Sequence, residues 1–431
     1  MFKTYEETLD FLYQNLPMFQ RVGAAALKLD LSNTWALCDI LGNPHSKFKS
    51  IHIAGTNGKG STSHMIASVF QSAGYKTGLY TSPHLKSFTE RIRINGKEIS
   101  EHHVIDFVNR IHPAIESLKP SFFEITVAMA FDYFAEQKVD MAIVEVGMGG
   151  RLDSTNVITP ELSVITNIGW DHMDILGDSL EKIAEEKAGI IKAGIPVVIS
   201  ERQPEVEEVF KKKAFAMNSK IYNATDQITV RPHEEEGQVA FDIYDGGTIA
   251  FKNLVLPLQG RYQQKNIGGV LQALKLMEIM GWKLMPEHIR AGLENVVSLT
   301  GLKGRWQVLN KKPFIVCDTG HNLDGITEVL KQIKAQTYQH LYFVFGMVKG
   351  KDVSAILKLL PRHAYYFFCQ PKIPRALDAT ALCEQARDYG LTGEVIIDIN
   401  EAIHKAKATA HADDMIFIGG STYVVAEIDN L

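Results

Sequence analysis

The chain is poor in cysteine: four in 431 residues, at Cys38, Cys317, Cys369 and Cys383. They stand far apart and form no CxxC pair, so neither a disulfide framework nor a zinc site is indicated, and a reducing cytoplasm suits the chain. No apolar stretch approaches the about 20 residues that span a bilayer. No long basic stripe is present either. The formal net charge is −5, and its even spread argues against a nucleic-acid or anionic-membrane partner. There are no internal repeats and no low-complexity segments. The opening residues, MFKTYEETLDFLYQNL, are acidic and amphipathic, unlike a signal or transit peptide. The expectation is a cytoplasmic protein.

What is present is ordinary globular material, with 45% hydrophobic and 22% charged residues, in a length that suits two domains. A short buried strand is predicted over Ser50–Gly55, followed by a helix over Lys59–Ala73. A further strand ends near Thr81-Ser82. The run Arg91–Lys97 carries Asn95-Gly96, the pair that suits a type I′ hairpin turn. Helical patterns cover 101–117 and 121–137. Near-continuous apolar strands follow at Val139–Val146 and Leu162–Ile168. Strands apolar on both faces and alternating with helices predict a parallel sheet covered on both sides.

Between about 219 and 256, short alternating runs and Asp245-Gly246-Gly247 predict an antiparallel patch. Helices are expected over 263–280 and 286–295, and a linker at Ser298–Gly304. Beyond it the alternation restarts, with strands at Phe314–Cys317, Leu341–Phe345, Tyr365–Phe368, Glu394–Ile397 and Met415–Ile418. The fold class expected is α/β. It comprises an N-terminal P-loop-type, mostly parallel sheet domain with a small antiparallel patch, about 1–298, and a smaller Rossmann-like C-terminal domain, about 299–431.

Gly55-Thr56-Asn57-Gly58-Lys59-Gly60-Ser61-Thr62 lies between a predicted strand and a predicted helix. Glycines let backbone N–H groups approach a polyphosphate, the helix N-terminus adds positive potential, and Lys59 adds a point charge. The spacing departs from GxxxxGK[ST], since two residues separate the glycines and Gly60 follows the lysine. It is not GxGxxG, which counts against a dinucleotide site. The plain alternative is a glycine-rich turn with a solvated lysine.

Three polar groups fall just past predicted strand ends, where ligands bind in open α/β sheets: Ser82 with His84, Glu145, and Asn167 with Asp171-His172. A hydroxyl, a carboxylate and an imidazole beside a phosphate loop make a Mg²⁺ shell. Singly, Ser82 reads as a cap, Glu145 as an ion-pair partner and His172 as a core histidine. Glu185-Glu186-Lys187, taken alone, reads as a solvated helix face.

Taken together, GTNGKGS at 55–61, TSPHL at 81–85, EVGMGGRLDSTN at 145–156, GWDHMDILG at 169–177 and EKAGIIK at 186–192 resemble the folylpolyglutamate/dihydrofolate synthase branch of the Mur ligase family. Gln264-Lys265-Asn266, Gly304-Arg305-Trp306 and Asp318-Thr319-Gly320-His321-Asn322 extend the resemblance over essentially the whole chain. It implies an ATP-binding domain at 1–298 and a glutamate-ligase domain at 299–431. Gly58, Lys59, Gly60 and Ser61 would hold the ATP phosphates. Asn266, Arg305 and Asp318 would make further nucleotide contacts, with His321 close by. Ser82, Glu145 and His172 would bind Mg²⁺, two ions in all, and Lys187 would match the lysine that carries a carbamate in that family. Ser121, Phe122, Phe123 and Glu124, with Leu152, Asp153 and Ser154, would line a pteroyl pocket, although the aromatic pair also reads as helix core. The family usually has a histidine where this chain has Tyr262, and D-[GA]-A-H-N where Thr319-Gly320 stand.

The resemblance implies a monomer acting on ATP, L-glutamate and dihydropteroate or a reduced folate, with Lys59, Lys187 and His321 as catalytic groups. The chemistry expected is ATP-dependent activation of a carboxylate as an acyl phosphate, then attack by the amine of glutamate. Rival readings are a UDP-sugar-peptide Mur ligase, against which the EVGMGGRLDSTN run and the SFFE segment argue, and a P-loop NTPase module, against which Gly60 after the lysine argues. An NAD-binding oxidoreductase lacks its GxGxxG.

Overall fold

The computed structural model describes all residues except 19–22, 24–29, 236–237, 351 and 430. The described chain divides into two compact units. One holds Met1–Pro257 and Gln263–Gly301, the other Leu258–Tyr262 and Leu302–Leu431. The excursion of Leu258–Tyr262 out of the first unit has no signal in the hydrophobic pattern.

The first unit is built on eight strands: β1 (Lys49–Ala54), β2 (Thr77–Tyr80), β3 (Ile92–Ile94), β4 (Lys97–Glu98), β5 (Met141–Glu145), β6 (Leu162–Ile165), β7 (Val197–Ile199) and β8 (Ile221–Asn223). Their order is β4-β3-β2-β5-β1-β6-β7-β8. All neighbours are parallel except the β2–β3 and β3–β4 pairs. β2, β5 and β6 are buried along their whole length, as continuous apolar runs require of strands covered on both faces. The hairpin turn has positive φ at both Asn95 and Gly96 (48° and 75°), the type I′ geometry that this dipeptide favours.

The antiparallel patch is narrower than its pattern suggested. β9 (Ile228–Glu235), β10 (Gln238–Asp245) and β11 (Thr248–Val255) form a separate three-stranded sheet, ordered β11-β10-β9. Ile221–Asn223 instead joins the large sheet as its parallel edge. Helix Lys59–Ser72 is buried along most of its length. Gly292, on helix Pro286–Glu294, lets the two helices approach closely, since a Cβ there would meet the Val69 backbone at 2.6 Å.

The second unit carries six strands: β12 (Gln307–Lys311), β13 (Phe314–Cys317), β14 (Leu341–Phe345), β15 (Tyr365–Phe368), β16 (Thr392–Val395) and β17 (Met415–Gly419). They are ordered β12-β13-β17-β14-β15-β16, parallel except for β12 against β13. The four cysteines are buried and free. Among the described residues, no helix is long and apolar enough to cross a membrane.

Candidate active site

The strand order β2-β5-β1-β6 brings four chain segments side by side at one sheet edge: Thr81-Ser82, Glu145, Gly55 and Asn167. The loop after β1 is shaped by its neighbours. Thr56 N donates to Asn167 O (2.9 Å) and Asn57 N to Asn167 Oδ1 (2.9 Å). Thr166 Oγ1 donates to Asn57 O (2.6 Å). Gly55 lies so close to Thr166 that a Cβ would meet Oγ1 at 1.8 Å, and its φ of +146° suits only glycine. Gly58 caps helix Lys59–Ser72 with φ +84°, so Gly60 and Ser61 fall in its first turn.

Within this loop Lys59 Nζ donates to Gly55 O (3.0 Å) and Thr56 O (3.1 Å). Lys187, at the end of helix Leu180–Ala188, donates from Nζ to the same Gly55 O at 3.0 Å. Lys187 is only 4% exposed, so the solvated-face reading fails for Lys187. Burial, with Lys59 as the next cause, lowers its pKa to about 7. Asp171, Asp153 and Glu186 pull the other way without overcoming the burial; Glu186 is paired with Arg151 at 2.8 Å, and Glu185 faces solvent. Arg151 N also donates to Glu186 O (2.8 Å), and Gly150 and Gly189 allow the two backbones to touch there.

Glu145 is 4% exposed and accepts from Ser82 N at 3.2 Å. Ser82 and Glu145 are thereby brought together. His172 lies beyond β6 with φ 51°, its backbone N–H held by Asp171 Oδ1 at 2.9 Å and its ring Nε2 3.8 Å from the same oxygen. His84 Nδ1 accepts from Arg91 Nε (2.8 Å).

The residues expected to line a pteroyl pocket divide sharply. Ser121 and Glu124 form a capping box at the start of helix Phe122–Glu136 and are buried. Phe122 is 3% exposed and packs under Arg91 at 5.3 Å. Asp153 accepts from Met148 N and Thr155 N, organising its own loop together with buried Ser154. Phe123 and Leu152 are the half-buried members. Phe123 lies across Gly147, where a Cβ would meet its ring at 2.4 Å, and beside Tyr80 at 6.3 Å.

Asn266 and its neighbour Gln263 sit on helix Gln263–Ile279. Asn266 Nδ2 donates to Gln263 Oε1 (2.7 Å), and Gln263 Nε2 donates to Ser61 Oγ (3.2 Å). Sequence reasoning began this motif one residue later and missed Gln263. A polar residue inside an apolar helical stripe was the available signal.

In the second unit, Asp318 accepts from Tyr262 Oη (2.7 Å), Trp306 N (2.7 Å) and Gly320 N (2.8 Å). Burial raises its pKa against those hydrogen bonds and nearby Arg305. Arg305 reaches Thr319 Oγ1. His321 Nδ1 lies 3.0 Å from Thr319 O. A carbonyl only accepts, so Nδ1 carries the proton in the neutral ring and Nε2 is its basic atom.

Residues 53–274 match the Mur ligase middle domain, and residues 304–422 the Mur ligase glutamate ligase domain. The chain is 33% identical to the dihydrofolate synthase/folylpolyglutamate synthase of Bacillus subtilis, over 99% of both chains. To the Mycobacterium tuberculosis protein of the same name it is 34% identical, over 88% of this chain and 82% of that one. Among solved structures, Escherichia coli FolC in complex with DHPP and ADP matches with a TM-score of 0.85 at 28% identity, covering 99% of this chain and 97% of that one. With these matches along its whole length, the chain belongs to the folylpolyglutamate/dihydrofolate synthase branch of the Mur ligase family.

Proposed function

We propose that this protein uses ATP to join L-glutamate to the carboxylate of dihydropteroate or a reduced folate. A carboxylate does not condense with an amine at neutral pH, because oxide would have to leave. Attack of the carboxylate oxygen on the γ-phosphorus breaks the β–γ linkage, releases ADP and gives an acyl phosphate. The amine of glutamate then attacks the acyl carbon, and the tetrahedral adduct expels inorganic phosphate. Phosphoryl transfer asks the protein for positioning and charge neutralisation.

The observation that carries this reading is the pair of lysine nitrogens on Gly55 O, at the N-terminus of helix Lys59–Ser72. The Lys59 cation and a row of helix N–H groups at a central sheet edge suit a polyphosphate. Gly58, Lys59, Gly60 and Ser61 would hold it. By the resemblance, Asn266, Arg305 and Asp318 would contact the nucleotide, with His321 as a further catalytic group.

Ser82 and Glu145 supply the oxygen donors that a hard divalent cation takes, and the resemblance adds His172. Mg²⁺ bound there supplies charge neutralisation on the transferring phosphoryl oxygens. Lys187, buried and close to neutrality, fits a carbamate: its amine nitrogen adds to the carbon of CO₂ and releases a proton, giving a carboxylate-like ligand for a second ion. Phe123 and Leu152 offer the half-buried surface for a flat heterocycle.

The test is phosphate release measured with dihydropteroate and with tetrahydrofolate, each with and without glutamate. Glutamate-dependent release with either acceptor is expected, and none with both would overturn the reading. A cytoplasmic monomer belongs to the same proposal, and sedimentation at working concentration checks the monomer.

A further inference from the structure

Gln263 is fully buried, at 0% exposure, and both ends of its amide are engaged. Oε1 accepts from Asn266 Nδ2 (2.7 Å), and Nε2 donates to Ser61 Oγ (3.2 Å). A buried amide gives little net stability over an apolar side chain of the same shape, so its value lies in what it orients.

A serine hydroxyl has one proton and two lone pairs. With Gln263 N–H on one lone pair, the Ser61 proton cannot point back at that amide and is left for an acceptor elsewhere. The second lone pair is left for a cation. On the other arm, committing Asn266 Nδ2 to Gln263 turns Asn266 Oδ1 toward Gly58, where a Cβ would lie 2.2 Å from that oxygen. One side chain therefore sets the hydroxyl of the first helical turn and the amide packed against its capping glycine.

We propose that Gln263 is the positioning residue of the phosphate loop, holding the Ser61 hydroxyl with its proton directed at a bound phosphate. This rests on reading residues 55–62 as the nucleotide site. In the reversed amide orientation, Ser61 would donate to Gln263 and have no proton for a ligand.

The two orientations separate in the full-length protein. Gln263→Glu replaces the N–H that faces Ser61 by an acceptor, so the serine proton must turn inward. Gln263→Met removes both hydrogen bonds at similar volume. ADP affinity by calorimetry, kcat/KM for ATP and Tm are measured for each, alone and with Ser61→Ala. The expected result is about tenfold weaker ADP binding and lower kcat/KM for ATP, with KM for glutamate unchanged. The same changes should cost less than about twofold once Ser61 is alanine. Equal losses in both backgrounds, or a lowered Tm with unchanged ADP affinity, would overturn the proposal. If Gln263→Met fails to fold, the isosteric Gln263→Glu carries the test alone. Calorimetry with ADP does not require ligation, so a failure of the ligase reading remains distinguishable from a failure here.

Discussion

The ammonium groups of Lys59 and Lys187 share one acceptor, the carbonyl oxygen of Gly55, each at 3.0 Å. Two like charges on one oxygen repel unless an anion joins them or one becomes neutral. The arrangement therefore anticipates a polyphosphate on the Lys59 side and a loss of charge on the Lys187 side.

Lys59→Ala should lower kcat by about a hundredfold or more while the fold survives, because a charge on the transferring group is worth several kcal/mol in a dry site. Steady-state phosphate release beside a circular-dichroism melt checks this. An unchanged rate in a folded variant removes the loop from the mechanism.

Glu145→Gln should raise the Mg²⁺ concentration at half-activity by about tenfold, since a neutral amide is a poor ligand for a hard cation. Ser82 N would still find an acceptor in the amide oxygen, so Tm should move little. A titration midpoint that does not shift would make Glu145 a structural carboxylate.

Gly147→Ala tests the one aromatic ring that is both half-buried and poised over the loop after β5. The new methyl would meet the Phe123 ring at 2.4 Å and displace it. KM for the pteroyl substrate should rise by roughly fivefold while KM for ATP stays put, as a loss of aromatic stacking would give. In a Phe123→Ala background the same change should add nothing.

The parts of this site legible in the sequence are those fixed by local chemistry. Glycines at 55, 58 and 147, an Asn-Gly turn, and buried apolar strands that end in polar residues all declare themselves over a few positions. What stayed hidden depends on partners distant in sequence. β12 is polar and largely exposed, and only its antiparallel pairing with β13 makes it a strand. The last edge strand of the second unit, Thr392–Val395, begins two residues earlier than the expected Glu394–Ile397, because edge pairing and not burial sets its register. Ser121 and Glu124 form a capping box, a local signal outweighed by the resemblance. Gln263 is meaningful only through Ser61, which no window of sequence brings near it.

His52 gives the protein an acid limb. It is wholly buried, with Nε2 2.9 Å from Thr155 Oγ1, and Nδ1 has no partner among the described residues. Burial, reinforced by Lys192, holds its pKa down to about 3. The unfolded chain takes up a proton near pH 6.5 that the native state refuses until about pH 3. Stability should therefore fall as pH drops through that window, by up to about 1.4 kcal/mol per pH unit. His52→Leu should flatten that slope in denaturant titrations at pH 7, 6 and 5. The Asp153 and Lys192 contributions are common to both proteins and cancel in the difference. Parallel slopes would show that His52 does not titrate on unfolding.

The last prediction concerns Lys187 and follows from its surroundings. Its ammonium group is shut off from water, faces Lys59 across Gly55 O, and has Glu186 turned away onto Arg151. With its pKa lowered to about 7, a large share of the amine is neutral at pH 7.5 and can add to CO₂. Activity should fall in CO₂-depleted buffer below pH 7, where protonation removes the nucleophile, and return on addition of bicarbonate at pH 8. A sample equilibrated with ¹³C-bicarbonate should show a carbamate carbon resonance that disappears in Lys187→Ala. That variant should lose about a hundredfold or more in rate, with partial rescue by a short carboxylate supplied in solution. Lys59→Ala should weaken the carbamate signal as well, because removing the neighbouring cation raises the Lys187 pKa and favours the ammonium form. A wild-type protein with no carbamate resonance and bicarbonate-independent activity would leave Lys187 as a phosphate-site cation only.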